Sequence, residues 1–251
     1  MRPEYVMADP TGNITALVTS PVPAEKQAET ALRIMRELER DCEQVGFVSG
    51  TRMRMMGGEF CGNATMSFGC LIARREGLGI GETKQMLLDV SGADGAVRCS
   101  VTRLSDAEFS GTVAMPLPLS VEKREDGTLV RFEGIAHLIT DEAPDEAKLL
   151  KFAREIGEDA AGRIQTIRNG NEWSITPLVY VKATDSAVYE HGCGSGSAAA
   201  GIVRALEAGA DGTYETYVKQ PGGVIAVCVK VEGGAAAEVT ITGKVTLRAA
   251  N

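Results

Sequence analysis

The chain has 251 residues, a net charge of −8 at pH 7 and basic residues scattered rather than massed, so nucleic acid or an anionic membrane surface finds no electrostatic footing on it. Its 44% hydrophobic content is ordinary for a globular protein, and no apolar run approaches the ~20 residues that span a bilayer. The length admits two small domains or one large one.

The first stretch, residues 1–12, carries acidic residues and prolines where a signal peptide has an apolar core, so the expected location is the cytoplasm. Residues 5–7 and 14–19 read as strands around the turn Pro10-Thr11-Gly12-Asn13. Residues 25–40 have helical periodicity, with Ala28, Ala31, Leu32, Met35 and Leu38 on one face. Residues 45–48 and 52–56 read as short strands, and Gly57-Gly58 turns the second. A helix is expected from Gly62 to about Glu76, directly after Cys61. Strands follow at 86–90, 96–103 and 109–115.

Pro116-Leu117-Pro118 reads as a domain boundary, and past it a similar order returns. Residues 129–139 look like a strand, 145–156 like an amphipathic helix, and 164–167, 178–181 and 186–189 like strands. Cys193 opens a second helix, and Val218, 224–231 and 239–242 close the unit as strands.

Two segments repeat. Cys61-Gly62-Asn63-Ala64-Thr65 and Cys193-Gly194-Ser195-Gly196-Ser197 each carry a glycine eight residues after the cysteine (Gly69, Gly201) and another at sixteen (Gly77, Gly209). Downstream, Gly95-Ala96-Val97-Arg98-Cys99-Ser100-Val101 resembles Gly223-Val224-Ile225-Ala226-Val227-Cys228-Val229. Shared offsets and a shared element order point to a duplicated α+β unit. The expected domains are 1–117, holding Cys61, and 118–244, holding Cys193, with the last strand, about 245–251, returning to the first.

A cysteine beside glycine is ordinarily a packing residue, and Cys42, Cys70, Cys99 and Cys228 are read that way. Six cysteines without a CxxC pair read as reduced thiols rather than a disulphide framework. The two histidines, His137 and His191, offer no tightly spaced zinc set, so no metal and no cofactor is expected. His137 is taken as structural.

Cys61 and Cys193 differ from the others in their duplicated frame. A helix start presents backbone N–H groups without intrahelical partners and a partial positive charge. It suits a carboxylate guest, favours a thiolate and should lower a cysteine pKa. Asn63, Ser195 and Ser197 are candidates to cap the helices or bind the ligand. Two such thiols flanking the α-carbon of one bound carboxylate would allow one to remove a proton and the other to return it on the opposite face. Oriented N–H groups would receive the charge that develops on the carboxylate.

At these residues the chain resembles the diaminopimelate epimerase family, cofactor-independent racemases with two catalytic cysteines. The likeness is carried by Gly12-Asn13, Glu43-Gln44, Cys61-Gly62-Asn63 and Cys193 to Gly196, and it extends over nearly the whole chain. The resemblance implies two pseudo-symmetric α+β domains, each a strand-rich, barrel-like sheet around a central helix, in the diaminopimelate epimerase-like fold. It implies Cys61 and Cys193 as the acid–base pair, with Asn13, Gln44, Gly62, Asn63, Glu190, Gly194 and Ser195 as ligand contacts. It also implies a homodimer. Glu43 is a candidate for a substrate imidazole or amine, and Glu190 for the ammonium.

Diaminopimelate epimerases have Glu-Arg before the second cysteine, and that arginine holds the distal end of the substrate. Here the pair is Glu190-His191, the stretch to Cys193 is shorter, and Asn63 is followed by Ala64-Thr65-Met66. Cys42-Glu43-Gln44-Val45-Gly46-Phe47, Glu59-Phe60-Cys61 through Ser67, and Gln220-Pro221-Gly222-Gly223 are similar to the histidine racemases that feed D-histidine into metallophore synthesis. The expected activity is thus inversion of an amino-acid Cα, histidine being favoured. Diaminopimelate or another amino acid is the alternative substrate. A thiol redox protein and a carboxylate-binding module are the alternatives outside the class.

Overall fold

The structure, a computed structural model, describes residues 3–38 and 42–248. The chain divides into two compact units, Met1–Ala114 with Thr242–Asn251, and Met115–Ile241. Both are α+β and dominated by strands. No helix among the described residues is long and apolar enough to cross a membrane.

The first unit contains β1 (Tyr5–Pro10), β2 (Thr15–Val18), α1 (Ala24–Leu38), β3 (Gln44–Ser49), β4 (Arg52–Met55), α2 (Gly62–Arg75), β5 (Thr83–Val90), β6 (Val97–Arg103) and β7 (Glu108–Ala114). These strands are sheet neighbours in chain order. A final strand, β16 (Ala235–Leu247), places its residues 245–247 antiparallel to β1. Thr242 of the same strand shares a 2.9 Å hydrogen bond with Thr112 of β7. The sheet therefore closes on itself around α2, which packs on β1, β2, β5, β6 and β7. Every residue of α2 from Gly62 to Ala73 is buried, as a helix enclosed on all sides requires.

Helix α1 lies outside this ring. Its Ala31 and Ile34 join Tyr5, Ala16, Val18, Val45 and Phe47 in one apolar cluster, with Met35 and Leu38 against it. The face differs from the one expected: Ala28 and Leu32 are exposed, while Thr30, Ala31 and Ile34 are buried. Ile34 anchors the neighbouring i, i+3, i+4 row, and that row turns to the sheet. The expected end of the helix at residue 40 falls outside the described residues.

The second unit contains β8 (Ser120–Arg124), β9 (Gly127–Phe132), β10 (Ile135–Thr140), α3 (Glu146–Ile156), β11 (Ala160–Asn169), β12 (Glu172–Val181), β13 (Ser186–Tyr189), α4 (Gly194–Glu207), β14 (Gly212–Gln220) and β15 (Gly223–Glu232). The sheet order is β15-β14-β12-β11-β10-β9-β8, with β13 beside β12. Helix α4 packs on β9, β10, β11, β14 and β15. Helix α3 is the crossover between the parallel neighbours β10 and β11. It begins at Asp145, whose carboxylate accepts from the Lys148 amide at 3.0 Å, and ends at left-handed Gly157.

Residues 129–139 are two strands rather than the expected one. Gly134, at φ 73°, turns the chain between β9 and β10, which then pair as an antiparallel hairpin. Strand β8 carries polar, partly exposed residues on the sheet edge, so it leaves no hydrophobic period to read. Strands β11 and β12 outrun their expected apolar cores because their far ends, Arg168, Asn169 and Glu172, are solvated.

The paired glycines now have reasons. A Cβ at Gly69 would lie 2.5 Å from Cys99 Sγ on β6, and one at Gly201 would lie 2.5 Å from Val227 Cγ1 on β15. Each glycine lets its helix approach the enclosing sheet. Gly77 and Gly209, at φ 77° and 71°, stop the two helices in the left-handed region.

Candidate active site

In the first unit the parallel pairing of β2 with β3 sets Thr15 opposite Gln44. The turn after β1 is tightened by Asp9, whose Oδ1 accepts from the Gly12 amide at 2.8 Å, and it delivers Asn13 beside them. Asn13 Nδ2 donates to Glu43 Oε2 at 2.8 Å. Gln44 Nε2 donates to Asn13 Oδ1 at 2.6 Å and to Thr15 Oγ1 at 2.8 Å. These bonds fix the Gln44 amide with its oxygen outward, and Oε1 accepts from Cys61 Sγ at 3.3 Å. Asn13, Glu43, Gln44 and Cys61 thus form one network, and Thr15 is part of it.

Cys61 is itself the N-cap of α2, with extended backbone (φ −134°, ψ 112°). Its sulphur accepts from the Ala64 amide at 3.5 Å, and its carbonyl accepts from Thr65 Oγ1 at 2.8 Å. Gly62 and Asn63 are buried in the first turn. Asn63, a candidate cap for this helix, does not fill that role: the thiol holds the capping position.

The second unit repeats the cap with a different partner. Cys193 (φ −109°, ψ 104°) is the N-cap of α4, and its sulphur accepts from the Gly196 amide at 3.2 Å. Neither Ser195 nor Ser197 caps the helix. Ser197 Oγ donates to the Cys193 carbonyl at 2.6 Å, while Ser195 Oγ lies 3.7 Å from Cys193 Sγ. Gln220, from the end of β14, accepts the Cys193 amide at 2.7 Å and donates to Ser197 Oγ at 3.2 Å. Gly194 is buried in the first turn.

The Glu190 carboxylate hydrogen-bonds the Cys193 thiol. Burial pushes this thiol well above its ordinary pKa, and the Glu190 charge and hydrogen bond push it further. The Gly196 amide and the Ser195 hydroxyl act the other way, but more weakly. The expectation of a lowered pKa at this helix start is therefore corrected for Cys193. Cys193 is 4% exposed, and desolvation outweighs the helix end.

Two residues of these hydrogen-bond networks, Thr15 and Gln220, escaped the sequence reading. Thr15 had a signal, since it lies two residues from Asn13. Gln220 had a better one, because it opens the Gln220-Pro221-Gly222-Gly223 segment that carried part of the resemblance. His137, taken as structural, hydrogen-bonds Ser195 Oγ through Nε2 at 2.9 Å. His191 contributes its carbonyl to the loop, accepting from the Gly222 amide at 2.7 Å. The arrangement supplies two capped thiols, one bonded to a neutral amide and one to a carboxylate, each beside first-turn amides that the helix leaves to other acceptors.

The fold has many relatives among solved structures. A PhzF-family phenazine biosynthesis protein of Bacillus anthracis matches with a TM-score of 0.71 at 15% identity, covering 99% of this chain and 98% of that one. A probable proline racemase of Agrobacterium radiobacter matches with a TM-score of 0.61 at 13% identity, over 98% and 92% of the two chains. Sequence relatives are nearer. The histidine racemase of Fusobacterium nucleatum subsp. nucleatum is 32% identical over 212 residues, 79% of this chain and 80% of its own. The histidine racemase of Staphylococcus aureus is 28% identical over 97% of this chain and 94% of its own. The family model described as the histidine racemase CntK N-terminal domain matches residues 3–251, and on that match the chain belongs to the histidine racemase family and is an isomerase.

Proposed function

We propose that this racemase inverts the α-carbon of histidine, using Cys61 and Cys193 as its two acid–base groups and no bound cofactor. One observation carries the reading. Both duplicated Cys-Gly segments make the cysteine the N-cap, with its sulphur on a first-turn amide and its proton on a side-chain acceptor. A packing cysteine has no need of either arrangement.

The two acceptors suggest complementary states. Gln44 Oε1 is a neutral acceptor that orients the Cys61 S–H, ready to give a proton. Glu190 is a carboxylate whose charge keeps Cys193 a thiol at rest. It is also the base that receives the thiol proton when the thiolate forms, and the Gly196 amide then holds that thiolate. That thiolate removes the Cα proton, and the Cys61 thiol protonates the opposite face. In the reverse reaction the roles exchange. The substrate carboxylate is assigned to the first-turn amides of Gly62, Asn63, Gly194 and Ser195, which would stabilise the charge that grows there.

Histidine is favoured for two reasons. The matching relatives are histidine racemases. The position before Gly192 is His191, where diaminopimelate epimerases carry the arginine that holds the distal end of their substrate. Glu43, anchored by Asn13, is the candidate acceptor for an imidazole N–H. We also infer that the two units arose by duplication of one strand-wrapped helix, that the fold is the diaminopimelate epimerase-like one, and that the protein works in the cytoplasm as a homodimer.

The deciding experiment is incubation with L-histidine in heavy water without added cofactor. D-histidine should form with deuterium at Cα. A chain that exchanges neither histidine, diaminopimelate nor any other common amino acid overturns the reading.

A further inference from the structure

His137 has no place in the mechanism above, yet its surroundings are those of a working group. It lies fully buried in β10, with Phe132 edge-on to its ring at 6.5 Å between centroids. Its sheet neighbour on β11 is Gly162, where a Cβ would overlap Nδ1, so the glycine makes the ring's space. The ring meets α4 through the 2.9 Å bond between Nε2 and Ser195 Oγ. Nδ1 has no hydrogen-bond partner among the described residues.

Burial lowers the His137 pKa to about 4, so the ring is neutral near pH 7. A neutral imidazole has one N–H donor and one bare acceptor nitrogen. An orphaned buried N–H is rarer and costlier than an under-used acceptor. The proton therefore belongs on Nε2, where Ser195 Oγ receives it, and the bare nitrogen is the unpartnered Nδ1. With its oxygen occupied as an acceptor, Ser195 directs its own proton elsewhere. Cys193 Sγ lies 3.7 Å away.

The geometry points to His137 as a positioning residue for Cys193: its Nε2–H fixes Ser195 as a donor to the sulphur, so that Ser195 and the Gly196 amide together hold the thiolate. No proton leaves the ring, and the group that accepts the thiol proton remains Glu190. Among the described residues, the partners of Cys193 include charged Glu190, neutral Gln220 from β14, Ser197, the Gly196 amide, and Ser195 backed by His137. The inference rests on Cys193 passing through a thiolate, as proposed above.

The test is a difference titration of thiolate ultraviolet absorbance, each protein minus its Cys193→Ser counterpart. His137→Met should move the Cys193 titration upward by about one pH unit, about tenfold less thiolate at a given pH, as expected for losing one donor to a charged group. Ser195→Ala should shift it similarly, and the double variant no further than Ser195→Ala alone. His137→Gln, whose amide N–H can take the place of Nε2–H, should restore the wild-type curve. An unchanged curve in folded His137→Met, or additive shifts in the double variant, overturns the inference. The wild-type chain gives an independent reading through its histidine ring nitrogens by NMR: a neutral His137 protonated on Nδ1 overturns it too. None of these measurements needs turnover. A chain with the expected titrations and no Cα exchange would remove the racemisation mechanism and leave the positioning role standing.

Discussion

The Glu190 carboxylate is hydrogen-bonded to the Cys193 thiol, and with the larger effect of burial it keeps that thiol protonated far above the usual range. Cys61, at the matching helix start, meets the uncharged Gln44 amide instead. The two thiols thus share a capping geometry and differ in what receives their proton.

Replacing either sulphur should stop turnover. Cys61→Ser and Cys193→Ser are each expected to lower the rate of histidine racemisation by roughly 100-fold or more, the usual weight of a lost acid–base group. The check is chiral chromatography of the product with circular dichroism of the protein. A folded variant that keeps wild-type turnover takes its cysteine out of the mechanism.

Glu190→Gln separates two roles of one carboxylate. Removing the charge removes an influence that raises the Cys193 pKa, so thiolate should form at lower pH in the variant. Turnover should nevertheless fall by about 100-fold, because the amide cannot accept the thiol proton. If titration and turnover both match wild type, Glu190 does not serve Cys193.

His137 predicts an acid limit to stability. Its pKa falls from 6.5 to about 4 on folding because burial excludes the charged form. A histidine with a lowered folded pKa contributes fully above about pH 6.5, and that contribution is lost as pH drops toward 4, since the unfolded chain then binds the extra proton. The loss should be about 3 kcal/mol. Urea denaturation of wild type and His137→Met across this range should show a steeper decline for wild type. Parallel declines would show that the ring does not titrate as its burial dictates.

Gly201→Ala tests the fit of α4 against β15. Alanine in a helix interior ordinarily gains up to about 1 kcal/mol over glycine. Here the new Cβ would sit 2.5 Å from Val227 Cγ1, and overpacking of that kind costs about 1–3 kcal/mol. The net result should be a lower melting temperature, partly recovered by adding Val227→Ala. A Gly201→Ala protein as stable as wild type would mean that the helix seat is looser than the contact distance implies.

Much of this was legible from spacing. The Cys-Gly starts and the glycines at eight and sixteen each mark a local requirement: a cap, a close approach, a helix stop. Local requirements leave local traces in sequence. The split of residues 129–139 at Gly134, the edge strand β8 and the buried face of α1 were less legible. Each depends on which neighbour covers which surface.

The chemistry of the thiols divides in the same way. Sequence alone determined that Cys61 and Cys193 open helices, because capping and helix stops are set within a few residues of chain. Only the tertiary structure decided how each sulphur behaves. Gln44 reaches Cys61 through the parallel β2–β3 pair, and Gln220 reaches the Cys193 amide from the far end of β14. His137 reaches Ser195 across 58 residues of chain. Burial, which outweighs the helix end at Cys193, is a property of everything packed around the atom, and no stretch of sequence holds it by itself.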